Sequence, residues 1–210
     1  MLKIGLLLLF FVSSTLQASG QSGFLDQYIP KEESDQKAGV ISEFIDSEFS
    51  HLDAEGNSLI IQNSLPKGGL SYTDTNGDTK RYLVFWTRIT NNRNAPVRLE
   101  LQFPTEPLPL LSSPEVYVTI VIPTDSLDMT KLHLKNYGFD TSSILDAIDN
   151  THNFSQKMIA PTETKGFYVV VLSKKGVAGS VRAGLNLSGN DLIYRINDTK
   201  LHCGRLNPAP

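Results

Sequence analysis

Apolar and polar residues alternate with a period of two along most of the chain beyond residue 58. In "VRLELQF" (97–103), Val97 and Leu99 fall on one side and Arg98 and Glu100 on the other. This alternation predicts β-strands with one face buried. β-Branched and aromatic residues dominate similar stretches, as a pleated, half-buried surface favours. The candidate strands are 59–62, 68–73, 81–90, 97–103, 116–122, 167–172, 181–187, 192–196 and 200–206.

Turn-forming sequences separate these strands, and together they indicate the fold class. "SGND" (188–191) and "NDTK" (197–200) predict that residues 181–206 form a three-stranded antiparallel meander. The stretches 116–122 and 167–172 are apolar on both faces, which indicates central strands covered by a helix or connector. We therefore predict a mainly β protein: a single-domain antiparallel β-sandwich, Ig-like or related, with one or two short helices.

The stretch "SYTDTNGDTKRY" (71–82) supports two interpretations. Asp74, Asn76 and Asp78 alternate as oxygen ligands do at the start of a calcium loop. Such a loop wants glycine at its sixth position and an acid at its twelfth, which here are Thr79 and Phe85. Asn76-Gly77 between two strands is instead typical of a hairpin turn. The hairpin is the prediction, and calcium is the weaker alternative.

Two segments carry helical spacing. In "VISEFIDSEFSHL" (40–52), Ile41, Phe44, Ile45, Phe49 and Leu52 recur at intervals of three and four, which predicts a short amphipathic helix. "DTSSILDAID" (140–149) has capping residues and a short apolar stripe, which predict a second helix. The proline-rich segment 103–114 predicts an extended loop that crosses between sheets.

The N-terminal residues predict export. The chain begins with one lysine, continues with an apolar run from Ile4 to Val12 and then has small polar residues. This is the order of a secretory signal peptide, with predicted cleavage after Ala18 or Gly20. The run is too short to span a bilayer, although an uncleaved anchor is the alternative. The predicted organisation is a signal peptide (1–20), a polar segment containing the short helix (21–57) and a β-sandwich domain (58–210). The expected location is secreted or periplasmic, without a transmembrane segment after cleavage.

Part of the chain is similar to a known architecture. "TRITNNRNAPVRLELQFP" and, later, "MIAPTETKGFYVVVLS" resemble the strand patterns of Ig-like sandwiches in exported bacterial proteins. The resemblance covers about a quarter of the chain and implies a fold, not an activity. Cys203 is the only cysteine, so the disulfide of antibody domains is impossible.

Composition narrows the classes of partner. The formal net charge is −3, and removal of residues 1–20, which carry one positive charge, leaves −4. This balance gives no basic footprint for nucleic acid. Cys203 alternates with His202 on a predicted strand, so we expect it to be a small buried side chain; a reactive or intermolecular thiol is the alternative.

The sequence lacks recognisable catalytic motifs. There is no G-x-S-x-G sequence, no phosphate loop, and no pairing of His51, His133, His152 and His202 in a metal motif. Glu100, Glu115 and Asp191 are candidate acids for a glycosidase, but each is more simply a solvated charge. We assign no catalytic, cofactor-binding or metal residue and expect no cofactor. Whether the protein is an enzyme stays open, with the balance against it.

Aromatic residues offer the second functional hypothesis. Tyr82 and Trp86 share one strand face with Val84 between them, so they form either core or an exposed strip for stacking on sugars. Asn153, Asn186 and Asn197 begin N-x-S/T triplets, which accept glycans only in a eukaryotic secretory pathway. The expected function is a non-catalytic interaction or ligand-binding module of the cell envelope or extracellular space, with an unidentified protein or glycan partner. The alternative is a carbohydrate-active protein, either a binding module or a hydrolase.

Overall fold

The structure is a computed structural model that describes residues 41–73, 77–141, 154–177 and 179–209. Within these ranges the named elements are strands and two short 3-10 turns, Met129–Lys131 and Lys135–Gly138, and α-helical backbone occurs only at residues 41–42. None of the described residues belongs to a helix long and apolar enough to cross a membrane. The strands are β1 (Ile45–Leu52), β2 (Ser58–Ser64), β3 (Lys67–Thr73), β4 (Thr79–Asn91), β5 (Val97–Gln102), β6 (Leu108–Leu110), β7 (Ser113–Val121), β8 (Phe154–Ile159), β9 (Thr164–Ser173), β10 (Ala183–Ser188), β11 (Asp191–Ile196) and β12 (Thr199–Pro208).

The strands form two antiparallel sheets, one of them curled into a half-barrel. The seven-stranded sheet has the order β1-β2-β4-β9-β7-β6, and β3 also pairs with β4. β9 pairs with one side of β4 along most of its length. β2 and β3 therefore share the other side of β4, where they pair with successive parts of that strand. The five-stranded sheet has the order β10-β11-β12-β5-β8. The prediction of a mainly β protein and of a meander over 181–206 is confirmed.

The larger apolar core draws on both sheets. The seven-stranded sheet contributes side chains such as Ile61, Phe85 and Val169, and the five-stranded sheet contributes Leu99 and Leu185. All five are almost fully buried, as the alternation of their strands predicts. This shared core holds the two sheets together.

A second apolar core lies on the other face of the seven-stranded sheet. There Val84, Trp86 and Val170 pack against residues of the connector 122–139, among them Leu132 and Tyr137. The connector therefore covers the second face of β4 and β9. This arrangement confirms the prediction that residues 167–172 form a central strand covered on both faces.

Polar groups fasten the connector to β3 and to the residues before it. The Tyr137 hydroxyl donates to the Leu65 carbonyl at 2.7 Å, and burial raises the pKa of Tyr137 to about 12. Lys67 Nζ donates to the carbonyls of Leu132 (2.6 Å) and Leu134 (2.9 Å). The same ammonium lies 4.5 Å from the centre of the Phe44 ring and 4.3 Å from that of Tyr137, within cation–π range.

The predicted amphipathic helix over 40–52 is wrong, because residues 45–52 form strand β1, paired with β2. From Ser47 onward its inward face alternates as Ser47, Phe49 and His51, so two of these three residues are polar and the period of two is masked in the sequence. The polar side chains on this face form hydrogen bonds with distant residues. For example, Asn63 Nδ2 donates to Ser47 Oγ at 3.2 Å. The second predicted helix, 140–149, lies almost entirely outside the described residues.

The hairpin predicted at 71–82 is confirmed by its strand pairing. β3 and β4 are antiparallel, with Tyr72 opposite Lys80 and Thr73 opposite Thr79. Residues 74–76, including two of the candidate calcium ligands, lie outside the described part of the chain. The third candidate, Asp78, forms an ion pair with Lys174 at 2.9 Å.

The proline-rich segment crosses between the sheets as predicted, since β5 belongs to the five-stranded sheet and β6 to the seven-stranded one. The prediction missed the short strand β6 within this segment. It also missed β8, whose sequence "FSQKMI" is too polar to stand out.

Candidate functional site

A groove of about 780 Å³ runs beside β1 on the outer face of the five-stranded sheet. We call it the β1 groove. One wall consists of Asp46, Ser47 and Phe49, and the floor consists of outward-facing residues of β10, β11 and β12. β1 can form this wall because its side chains contact β10 and the residue before it, through His51 with Asn186 and Asp46 with Arg182.

Strand register places the floor residues in rows. Asn186 lies opposite Ile193, which lies opposite His202. In the neighbouring row, Arg195 of β11 pairs with Lys200 of β12. Because side chains of paired residues lie on the same sheet face, each row projects into the groove.

Two polar contacts, one near each end of β1, hold this strand against β10 and the residue just before it. Arg182 Nε lies 3.3 Å from Asp46 Oδ1, and His51 Nε2 lies 3.0 Å from Asn186 Oδ1. A bulge between Ile45 and Ser47 accompanies the first contact. Phe49 lies between these contacts along β1 and supplies an apolar surface to the groove wall.

A buried asparagine joins the two sheets below the groove. Asn63 of β2 accepts a hydrogen bond from Leu185 N (2.8 Å) and donates to Leu185 O (3.0 Å), as a paired strand would. Its Oδ1 also accepts from the Thr87 hydroxyl at 2.9 Å. A side chain at Gly184 would collide with Asn63, 2.7 Å from its Cγ, so glycine permits this close approach. Asn63 therefore fixes β10 relative to β2, next to β1.

The groove is positively charged, although the whole chain is weakly acidic. Asp46 is the only carboxylate among the described lining residues, and Arg182 pairs with it. Arg195 Nε donates only to the Asn197 carbonyl, at 2.6 Å, and Lys200 makes no polar contact within the described ranges. Among the described residues, these two neighbouring cations therefore have no acidic partner.

Asp191 forms ion pairs with His202 and Arg205 at the far side of the groove floor. His202 Nε2 and Arg205 Nε lie 3.3 Å and 3.1 Å from Asp191 Oδ1. Hydrogen bonds from His202 and then from Arg205 lower the pKa of the Asp191 carboxyl, although partial desolvation opposes them. His202 is thus engaged with Asp191, which leaves Arg195 and Lys200 as the cations open to a ligand.

The candidate glycosidase acids do not come together in this groove. Asp191 is ion-paired, Glu100 of β5 accepts from Gln156 Nε2 at 3.0 Å, and Glu115 is exposed on β7 in the other sheet. The described part of the chain also holds no group of three or more His, Cys, Asp or Glu side chains able to bind a metal. His152 lies outside it, and His133 is exposed.

Cys203 is buried, as predicted. Its side chain is 1% exposed, and its Sγ donates to the Leu192 carbonyl at 3.4 Å. Burial raises the pKa of the thiol to about 12. Because the thiolate is the reactive form, Cys203 is an inert core side chain.

The N-x-S/T asparagines that the structure describes are hydrogen-bonded to the chain. Asn186 Oδ1 contacts His51 and accepts from Leu187 N at 2.8 Å, and Asn197 Oδ1 accepts from Arg182 N at 2.9 Å. Asn153 lies outside the described residues. Both described side chains therefore have structural partners beside the β1 groove.

Tyr82 and Trp86 belong to the core, so no exposed aromatic strip exists on β4. They are 4% and 0% exposed and lie beneath the connector. Asn136 Nδ2 donates to the Tyr82 hydroxyl at 3.0 Å, and the Trp86 and Tyr137 rings meet edge to face at 6.3 Å. The sugar-stacking surface considered from the sequence is thus covered.

Trp86 fluorescence tests this burial, because it is the only tryptophan in the chain. We expect blue-shifted emission in the native protein and little quenching by iodide, followed by a red shift and strong quenching in guanidinium. Equal quenching of the native and unfolded states would show that the connector does not cover β4.

In comparisons with protein-family models, curated proteins and solved structures, no family model, curated sequence or solved structure matches this chain. Functional inference therefore depends on the groove itself.

The sequence prediction missed this groove. Arg195 and Lys200 were visible only as the polar face of two strands. The period of two marks that face, but the opposite wall is β1, whose own sequence predicts a helix. The contact that joins the walls, His51 with Asn186, spans 135 residues.

Proposed function

We propose that this protein is an exported, non-catalytic interaction or ligand-binding module, and that the β1 groove is its binding site. The observation that carries the proposal is a pair of cations, Arg195 and Lys200, that have no acidic partner in the described part of the chain and lie in a groove of about 780 Å³. That volume lies within the usual range of ligand sites, about 300–1,000 Å³.

The remaining parts of the proposal come from the sequence. The signal-peptide pattern supports a secreted or periplasmic location. The strand patterns, together with two sheets around a shared core, support an Ig-like or related sandwich. The carbohydrate alternative loses its main support, since Tyr82 and Trp86 are buried.

A charge reversal in the groove tests the function. The purified protein and its Lys200→Glu variant serve as baits for envelope and culture-medium extracts of the native cells, followed by mass spectrometry, and are also applied to a glycan array. We expect a specific partner that the native protein binds and that Lys200→Glu loses, because the variant removes a free cation and adds a repulsive charge.

Lys135→Glu is the matched control. Lys135 is also an exposed lysine, but it lies in the connector, away from the groove. The control variant should bind as the native protein does. If neither assay finds binding that depends on Lys200, the β1 groove is not the binding site and the proposal fails.

A further inference from the structure

Sheet edges expose unpaired backbone groups, and four of the five edges described here are blunted. β6 has three residues and contains Pro109. β3 bulges at Gly68 and Gly69, where φ is +119° and +77°. β8 points Lys157 inward, opposite Leu99. These three edges are poor templates for an added strand.

The edge of β10 is occupied by a side chain instead. Asn63 takes both the N–H and the carbonyl of Leu185, the groups that a neighbouring strand would use. This leaves β1 as the fifth edge.

Beyond its bulge, from Ser47 to Leu52, the free edge of β1 carries none of these protections. The strand pairs without interruption with β2 from Ser47 to Leu52, and it contains no proline, glycine or lysine. In an antiparallel pair, alternate residues direct their N–H and carbonyl groups away from the partner. Within the described chain, the only further polar contact of the β1 backbone is the His51 carbonyl, 3.4 Å from Arg93 Nη2.

The free edge of β1 opens onto the β1 groove. A strand added there would lie above β11 and β12, with one face toward the floor. The side chains it would meet are Ile193, Arg195, Lys200 and His202. Alternate residues of such a strand would therefore face a strip with two unmatched positive charges.

We propose that β1 accepts an extended acidic peptide segment as an added strand in the β1 groove, with its Asp or Glu side chains paired to Arg195 and Lys200. The inference rests on the proposed binding function and names the class of partner. Backbone hydrogen bonds to β1 would supply register, and the charge pairs would select acidic sequences.

A peptide library tests the proposal. Eight-residue peptides with glutamate at alternate positions and random residues between them are selected on the native protein, and the best binder is measured by fluorescence anisotropy. We expect Lys200→Glu to weaken binding by about tenfold or more and Lys135→Glu to leave it unchanged. Replacement of the glutamates by lysine should abolish binding.

Backbone methylation separates strand addition from simple charge attraction. In the added strand, the N–H groups of alternate residues point toward β1, and those of the remaining residues point away from it. N-methylation of the first set blocks the hydrogen bonds to β1, and N-methylation of the second set does not. We expect one set to abolish binding and the other to be tolerated. Equal effects of both sets, or no selected peptide that depends on Lys200, would overturn the inference.

Dextran sulfate and inorganic phosphate are tested in parallel on the same variants. Lys200-dependent binding of either, without peptide binding, would refute the peptide as partner while leaving the groove as a binding site. If neither the peptides nor these anions bind in a way that depends on Lys200, the proposed function is overturned as well.

Discussion

Replacing Gly204 with alanine is expected to lower the free energy of unfolding by about 3 kcal/mol or more. Gly204 has φ +141° and lies opposite Leu101 in the pairing of β12 with β5. A Cβ at this position would run into the carbonyl oxygen of Glu100. Because that oxygen belongs to the backbone of a paired strand, it cannot move aside without breaking the ladder. Urea denaturation followed by Trp86 fluorescence gives the measurement.

Gly189→Ala is the matched control. Gly189 also has positive φ (+61°), but no atom lies within 4 Å of its added Cβ. Its substitution should cost only the backbone strain, about 1–2 kcal/mol. If the two variants were equally stable, the close approach of β12 to β5 would not be what requires glycine at 204.

Asn63→Ala is expected to destabilise the protein by about 2–4 kcal/mol, because buried polar groups would lose their partners. The change leaves the N–H and carbonyl of Leu185 and the Thr87 hydroxyl unsatisfied in the interior. Asn63→Asp should also destabilise, since a carboxylate cannot donate to the Leu185 carbonyl. Thermal unfolding and amide hydrogen exchange at Leu185 measure the two consequences.

Asn92→Ala provides the comparison for Asn63. Its exposed amide donates to Ser58 Oγ at 3.0 Å, so water replaces the lost partner. We expect a change within about 0.5 kcal/mol. A similar small effect for Asn63→Ala, with unchanged exchange at Leu185, would mean that its hydrogen bonds do not hold the sheets together.

A strand is easiest to predict from sequence when one of its faces is wholly apolar. Val97, Leu99 and Leu101 alternate without interruption, so β5 was visible. β1 was not, because Ser47 and His51 occupy inward positions that only distant residues make tolerable. β8 places Lys157 on its inner face, which hides the period of two in the same way.

The site was less accessible to sequence reasoning than the fold. The charges of Arg195 and Lys200 could be placed on one face, but a charged sheet face is usually just solvated. What distinguishes this face is the wall that β1 builds over it. That wall depends on Asn63 meeting the backbone of Leu185, a contact between residues 122 positions apart.

The position of β12 between β11 and β5 has a consequence for the order of folding during synthesis. β5 and β8 can join β10 and β11 only through β12, so the five-stranded sheet cannot close until residue 208 has left the ribosome. β5 pairs with β12, which follows it by about a hundred residues in the sequence, and such non-local pairing makes folding slow. A chain that stays open until its synthesis is far advanced suits the proposed export, which carries proteins across a membrane before they fold.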